Sequence, residues 1–133
     1  MFVLLDAVLH VGVVGLALRA LHDAAQGGPL GTILAAAFGS ALASNLLNNL
    51  PVAVISGAIV AHSGGTPLLA YPLIAGVDLG PNLTTTGSLA TILWLSIVRA
   101  RGVVVSPLEY LRLGLCVVPA TLLVASLWLW LLK

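Results

Sequence analysis

The sequence predicts an all-α, polytopic membrane protein with a re-entrant helical hairpin and a discontinuous transmembrane helix. Three observations predict it. Of the 133 residues, 60% are apolar and only 7% are charged, where a soluble domain carries about 25% charge. Residues 24–77, 79–98 and 113–132 contain no Asp, Glu, Lys or Arg, and a mostly apolar run of about 18 or more residues can cross a bilayer. The polar residues inside these runs gather at two places where the helical pattern breaks.

This composition excludes a soluble enzyme and a disordered linker. A net charge of +1 offers no basic surface for a phosphate backbone, so no nucleic-acid partner is expected. The single cysteine, Cys116, can form no intrachain disulfide, and its apolar surroundings predict a buried packing role.

Residues 2–20 read as a first membrane helix. They begin directly on Met1-Phe2-Val3, without the basic region that opens a secretory signal, so the segment is expected to be retained. Asp6 and His10 lie four apart and so share a helical face. Gln26-Gly27-Gly28-Pro29 is a turn signal. Residues 30–61 are too long for one comfortable helix and short for two spanning ones. At their centre stands Ser44-Asn45-Leu46-Leu47-Asn48-Asn49-Leu50-Pro51. Asn favours local side chain–backbone bonds and Pro51 cannot donate one, so the helix should break between Asn48 and Pro51. Two half-length helices with a polar tip make a re-entrant hairpin, tolerated where protein or water satisfies the tip.

His62-Ser63-Gly64-Gly65-Thr66-Pro67 reads as an exposed turn. Residues 68–98 form a third segment, interrupted by Gly76-Val77-Asp78-Leu79-Gly80-Pro81-Asn82-Leu83-Thr84-Thr85-Thr86-Gly87-Ser88. Three glycines and a proline predict an unwound centre over this stretch, with half-helices on either side. Ser106-Pro107-Leu108-Glu109 has the form of a capped helix start. It opens the last segment, 108–132, whose Trp128 and Trp130 suit a membrane interface.

All four asparagines, Asn45, Asn48, Asn49 and Asn82, lie in the two breaks, together with Thr84, Thr85, Thr86 and Ser88. Asp78 is the one carboxylate well inside an apolar stretch. A charge at the bilayer centre costs about 2.5–3.5 kcal/mol on insertion scales. That cost, placed where the backbone also unwinds, points to a binding site at the membrane midplane, where the broken helices of secondary carriers meet. Carbonyls and amides there could hold a cation or a neutral polyol, and free amides at half-helix N-termini would favour an anion. The glycine-rich stretch lacks the Gly-Lys-Ser/Thr ending of a phosphate loop. The histidines lack metal-ligand spacing and no nucleophile–base pair is evident, so no cofactor, metal or enzymatic activity is expected.

The run Ser44 to Pro51, followed by Gly76 to Thr91, resembles the C-terminal part of the arsenite/antimonite efflux carriers of the ArsB type. Its most specific portions are Asp78-Leu79-Gly80-Pro81 and Gly87-Ser88-Leu89-Ala90-Thr91-Ile92-Leu93-Trp94. These carriers belong to a broader ion-transporter superfamily that includes sodium/proton antiporters and carboxylate carriers. The sequence departs from the family pattern at Asn82, where members often carry a basic residue, and by lacking a proline within Thr84–Thr86.

The resemblance implies one repeat of an inverted-repeat carrier in the inner membrane. It further implies efflux of arsenite or antimonite, by proton exchange or with a cytoplasmic ATPase subunit. In that reading Asn45, Asn48, Asn49, Asn82, Thr84, Thr85, Thr86 and Ser88 bind substrate and Asp78 carries the coupling proton. One repeat supplies half of a site, so a second chain with the other repeat, or a homodimer, is expected. The alternatives are another substrate of the superfamily, sodium or a carboxylate, and a non-transporting membrane subunit.

Overall fold

The computed structural model describes residues 13–132. Most of the expected first helix, with the Asp6–His10 pair, lies outside the described residues. The described chain is helical: α1 Val13–Ala25, α2 Pro29–Leu47, α3 Asn49–His62, α4 Pro67–Leu79, a 3-10 turn Gly80–Leu83, α5 Leu89–Ala100 and α6 Pro107–Leu131.

Local chemistry sets the boundaries. Gly28, at φ 86, turns the chain into α2, and Pro29 takes the first helical position, where its missing N–H would have no partner in any case. Asn48 ends α2 at φ 76 and ψ 156, outside the αL basin that asparagine tolerates and in a region otherwise kept for glycine, so the reversal stores backbone strain. Its Oδ1 then accepts from the Asn49 amide at 2.7 Å and so opens α3 as a cap. The break is therefore one residue wide. Pro51 was expected to share in it but lies in the first turn of α3, where a proline costs no hydrogen bond.

The second break is also narrower than expected. α4 continues as regular helix through Gly76 and Asp78 to Leu79, and irregular backbone begins only at Gly80. Gly76 is helical because its missing side chain serves packing rather than chain flexibility. At the start of α6 the expected capping box forms: the Glu109 amide donates to Ser106 Oγ at 3.4 Å, and the Ser106 amide donates to Glu109 Oε2 at 3.1 Å.

α2 is the central helix. It runs parallel to α4 and antiparallel to α6, while α3 folds back along it. One apolar cluster joins Leu21 of α1, Ala36 of α2, Ile55 and Ile59 of α3, and Leu73 of α4. A second joins Ala37 and Ala41 of α2 to Val118 and Leu122 of α6. Between α2 and α4 the backbones touch. A Cβ on Gly76 would run into Ser40 Oγ and the Ala37 carbonyl, and one on Gly80 would run into the backbone of Ala41. Ser40 Oγ reaches across to the Leu73 carbonyl at 3.1 Å. Gly114 brings α6 equally close to Leu83 in the 3-10 turn.

The outer surface is far more apolar than that of a water-soluble fold, and several hydroxyls lie inside. Ser40, Ser44, Ser56, Thr91 and Ser126 are buried, while Leu46, Leu89, Leu113, Val124 and Trp128 are exposed. Cys116, expected to be buried, is exposed on α6. An apolar run does not show which face packs within the chain and which is left uncovered, and Cys116 falls on the uncovered one. α6, with 25 residues, and α2, with 19, are long and apolar enough to cross a membrane. At 1.5 Å per residue they measure about 37 and 28 Å.

The glycine contacts yield a paired test. Gly80→Ala should lower the thermal stability of the detergent-solubilised protein by about 1–3 kcal/mol, because overpacking against backbone cannot relax. Gly57→Ala, whose Cβ would meet nothing within 4 Å, should leave it unchanged or raise it by up to about 1 kcal/mol. Equal melting temperatures for the two variants would contradict the close approach of α2 and α4.

Candidate functional site

The hairpin tip and the break after α4 meet at Asn45. This residue stands on the last turn of α2, one turn before the reversal at Asn48. Its Nδ2 donates to the Gly80 carbonyl and also lies 3.3 Å from the Ala41 carbonyl. Its Oδ1 accepts from Thr84 Oγ1 at 2.8 Å. The carbonyls at the end of a helix lack intrahelical partners, and Asn45 supplies one to the end of α4. Gly87 makes room for the arrangement, since a Cβ there would stand 2.8 Å from Asn45 Oδ1. Both polar ends of the Asn45 amide are thus occupied by protein. Asn45 and Thr84 form a brace between tip and break, with little hydrogen-bonding capacity left over.

Two further predicted residues act as caps. Asn48, half-buried, caps α3 through its Oδ1. Ser88 caps α5, accepting from the Ala90 amide at 3.2 Å. Asn49, also half-buried, gives its backbone amide to Asn48.

The other predicted residues point to different sides of the break. Asp78 is exposed, and it borders a groove between α3 and α4 of about 290 Å³ that Ser56, Gly57 and Ile74 also line. Asn82, one turn further on and exposed, lines a different space with Thr91 and Trp94 of α5 and Tyr110 of α6. Its Nδ2 stands 3.3 Å from the carbonyls of both Asp78 and Leu79. Thr85 and Thr86 line a groove on the opposite side of α5, beside Ser96 and Arg99. The grooves bordered by Asp78, by Asn82 and by Thr85 and Thr86 are not lined by Asn45, Asn48 or Asn49. No cluster of His, Cys, Asp or Glu suited to a metal occurs among them either.

Sequence reasoning did not single out Thr91, Tyr110 or Ser56. Thr91 and Tyr110 are separated by the α5–α6 turn, and Ser56 lies well before Asp78 in the chain, so neither association shows as local spacing. The usable signal was a polar group within an otherwise apolar helix.

Residues 1–132 match the family described as arsenical pump membrane protein. The chain is 29% identical over 119 residues to an arsenical pump membrane protein of Escherichia coli, covering 86% of this chain and 28% of that protein. It is 32% identical over 138 residues to an uncharacterised transporter of Mycobacterium bovis, covering 98% of this chain and 32% of the relative. A 46 kDa membrane protein of Mycobacterium leprae is 28% identical over the same length, with the same coverage. The chain therefore spans about a third of the length of these relatives. No solved structure matches it.

The brace can be tested by three substitutions. Thr84→Val removes one hydrogen bond and should cost about 1 kcal/mol of stability. Asn45→Leu leaves the Gly80 carbonyl without its partner and should cost about 1–3 kcal/mol. Asn45→Asp places carboxylate oxygens against that carbonyl and should be the most damaging. Thermal unfolding in detergent would rank them, and a stable Asn45→Asp protein would contradict the donor role of Nδ2.

Proposed function

The chain belongs to the arsenical pump membrane protein family, and from that premise we propose that it is one repeat of a multi-pass inner-membrane carrier exporting arsenite or antimonite. The observation that carries this reading is the Asn45 brace, which ties the tip of one helical hairpin to the unwound point of another helix. Broken helices that meet in this way are the usual setting of a carrier's midplane site.

The hairpin α2–α3 is re-entrant in this proposal. Support comes from the level of its tip. The tip ends against Gly80 and Thr84, and Leu83 beside them packs on Gly114 of α6. α6 extends beyond that level from Gly114 back to Pro107, about 10 Å of helix at 1.5 Å per residue. α4, the 3-10 turn and α5 then form the discontinuous transmembrane helix alongside α6. The arginines Arg99, Arg101 and Arg112 lie at or near the α5–α6 turn, and the positive-inside rule places that end in the cytoplasm.

Arsenous acid, neutral at pH 7, suits a site of amides and hydroxyls. Asn45 and Thr84 hold the frame of this site. Asn49, Asn82, Thr85 and Thr86 keep side-chain hydrogen-bonding capacity for a solute; Asn82 opens to one side of α5 and Thr85 and Thr86 to the other, so in this proposal the opposing repeat completes the site, and the capping residues Asn48 and Ser88 contribute backbone to it. Asp78 is the proton carrier: among the described residues it is the one carboxylate near the breaks, and it borders a groove rather than the packed interior. The chain makes up about a third of its relatives, so the remainder of such a protein, on the same or another chain, supplies the opposing repeat. A homodimer would supply it by symmetry, and a cytoplasmic ATPase subunit is the alternative source of energy.

Two outcomes test the proposal. Residues 1–133 expressed alone in arsenite-sensitive cells should give no resistance, and co-expression with the complementary part of a relative should restore it. In the complemented carrier, Asp78→Asn should insert at least as well as the parent, because it removes an insertion cost of about 2.5–3.5 kcal/mol, and should abolish proton-dependent arsenite export. Export with an unchanged response to the proton gradient would remove Asp78 from the mechanism.

A further inference from the structure

α3 and α4 leave between them a groove of about 290 Å³ whose lining is of two kinds. Ala53, Gly57 and Ala70 are small, and a Cβ on Gly57 would meet nothing within 4 Å. Ser56 and Asp78 are polar. We propose that this groove seats a transmembrane helix from the remainder of the carrier, and that this helix brings a lysine or arginine to Asp78.

The two polar groups lack partners of their own. Asp78 is exposed. Asn82, the polar side chain one turn on, bonds the Asp78 backbone carbonyl and leaves the carboxylate alone. Ser56 is only 6% exposed, yet its hydroxyl has no hydrogen-bond partner among the described residues. Ser40, Ser63 and Ser96, by contrast, each bond a carbonyl of their own helix. α3 and α4 carry no Lys or Arg. His62 and Tyr71, the other titratable groups on these helices, lie toward the opposite end of the pair from Asp78. An ionisable group at membrane depth faces the interior of a bundle and pairs there. The carboxylate therefore calls for a cation that α3 and α4 do not supply.

The small residues make room for a helix to deliver it. Ala53 and Gly57 are both exposed and stand four apart on one face of α3, the spacing at which small residues let two membrane helices approach backbone to backbone. From Ala70 to Asp78 the groove runs about 12 Å, two helical turns. The chain covers 28% and 32% of two of its relatives, so a carrier of that size has further helices to place.

Other occupants fit less well. A lipid acyl chain would fill the small-residue half and leave a carboxylate and a buried hydroxyl unpaired in hydrocarbon, which is costly. A second copy meeting this one through the same groove would set two carboxylates together, since a two-fold contact repeats the same patch. A cation binds the ionised carboxylate and is released when the carboxylate takes a proton, so this pairing accompanies proton carriage by Asp78. Its membrane depth rests on the carrier reading; the docking does not depend on arsenite as the solute.

The test is association in vesicles. Residues 1–133 are reconstituted in phosphatidylcholine with a synthetic Leu/Ala transmembrane helix of about 23 residues. The helix carries a Gly-xxx-Gly face and a central Lys. Energy transfer is measured from a donor on Cys116, which is exposed on α6, to an acceptor on the helix. Charge-assisted hydrogen bonds are about twice as strong as neutral ones, so the Lys helix should bind at least about tenfold tighter than the same helix with Leu in place of Lys. Asp78→Asn should abolish that difference, and Asp78→Glu should retain it. Gly57→Leu fills the groove with the carboxylate intact and should weaken binding of both helices. Val124→Leu, on the exposed face of α6, should change neither. Equal binding of the Lys and Leu helices overturns the proposal and leaves the groove to lipid. A Lys preference that survives Asp78→Asn, or binding that Gly57→Leu leaves unaltered, overturns it as well. Arsenite resistance from the complemented carrier is scored separately: a carrier for another solute fails that assay while the vesicle result stands.

Discussion

The close approach of α2 and α4 is the contact on which the rest of the structure depends. Ala37, Ser40 and Ala41 on one helix face Gly76 and Gly80 on the other, with no space for a further carbon atom. In a lipid environment there is little hydrophobic force between helices, and small residues provide association by letting backbones pack directly. Here the contact also sets register. With Gly80 against Ala41, Asn45 lies one turn further along α2 and reaches the Gly80 carbonyl. A larger residue at either glycine would separate the helices and remove the amide from its acceptor.

That geometry explains how a chain with two helix breaks keeps its backbone satisfied. At the tip, Asn48 reverses the chain in a single residue and caps the next helix with its own side chain. At the second break, Ser88 caps α5 from below and Asn45 completes the end of α4 from across the interface. Polar side chains in apolar surroundings are expensive unless paired. Much of the polar content of these breaks is accounted for by such backbone duties before any solute is considered.

The remaining polar groups are sorted by side. Asp78 opens toward α3, Asn82 toward the cleft between α5 and α6, and Thr85 and Thr86 toward the far side of α5. An exposed carboxylate and an exposed amide thus stand on different faces of one short turn. Movement of the break would then affect both faces at once, with the Asn45 brace as the joint between hairpin and broken helix.

By itself the sequence determined the membrane setting, the helical class, the position of both breaks and the capped start of α6. These follow from properties that are local in the chain: charge-free length, asparagine and proline chemistry, and the Ser106–Glu109 spacing. It also contained the residues that mark the family, from Asp78-Leu79-Gly80-Pro81 onward. Only the tertiary structure decided that Gly76 is a packing surface within regular helix, that Pro51 starts a helix rather than breaking one, and that Cys116 faces outward. It also separated the asparagines: Asn45 braces, Asn48 caps, and Asn82 lines a cleft with Tyr110. The physical reason is the same throughout. A side chain's role depends on which neighbour comes within about 3 Å of it, and in a chain this apolar the pattern along the sequence does not distinguish lipid from protein as that neighbour.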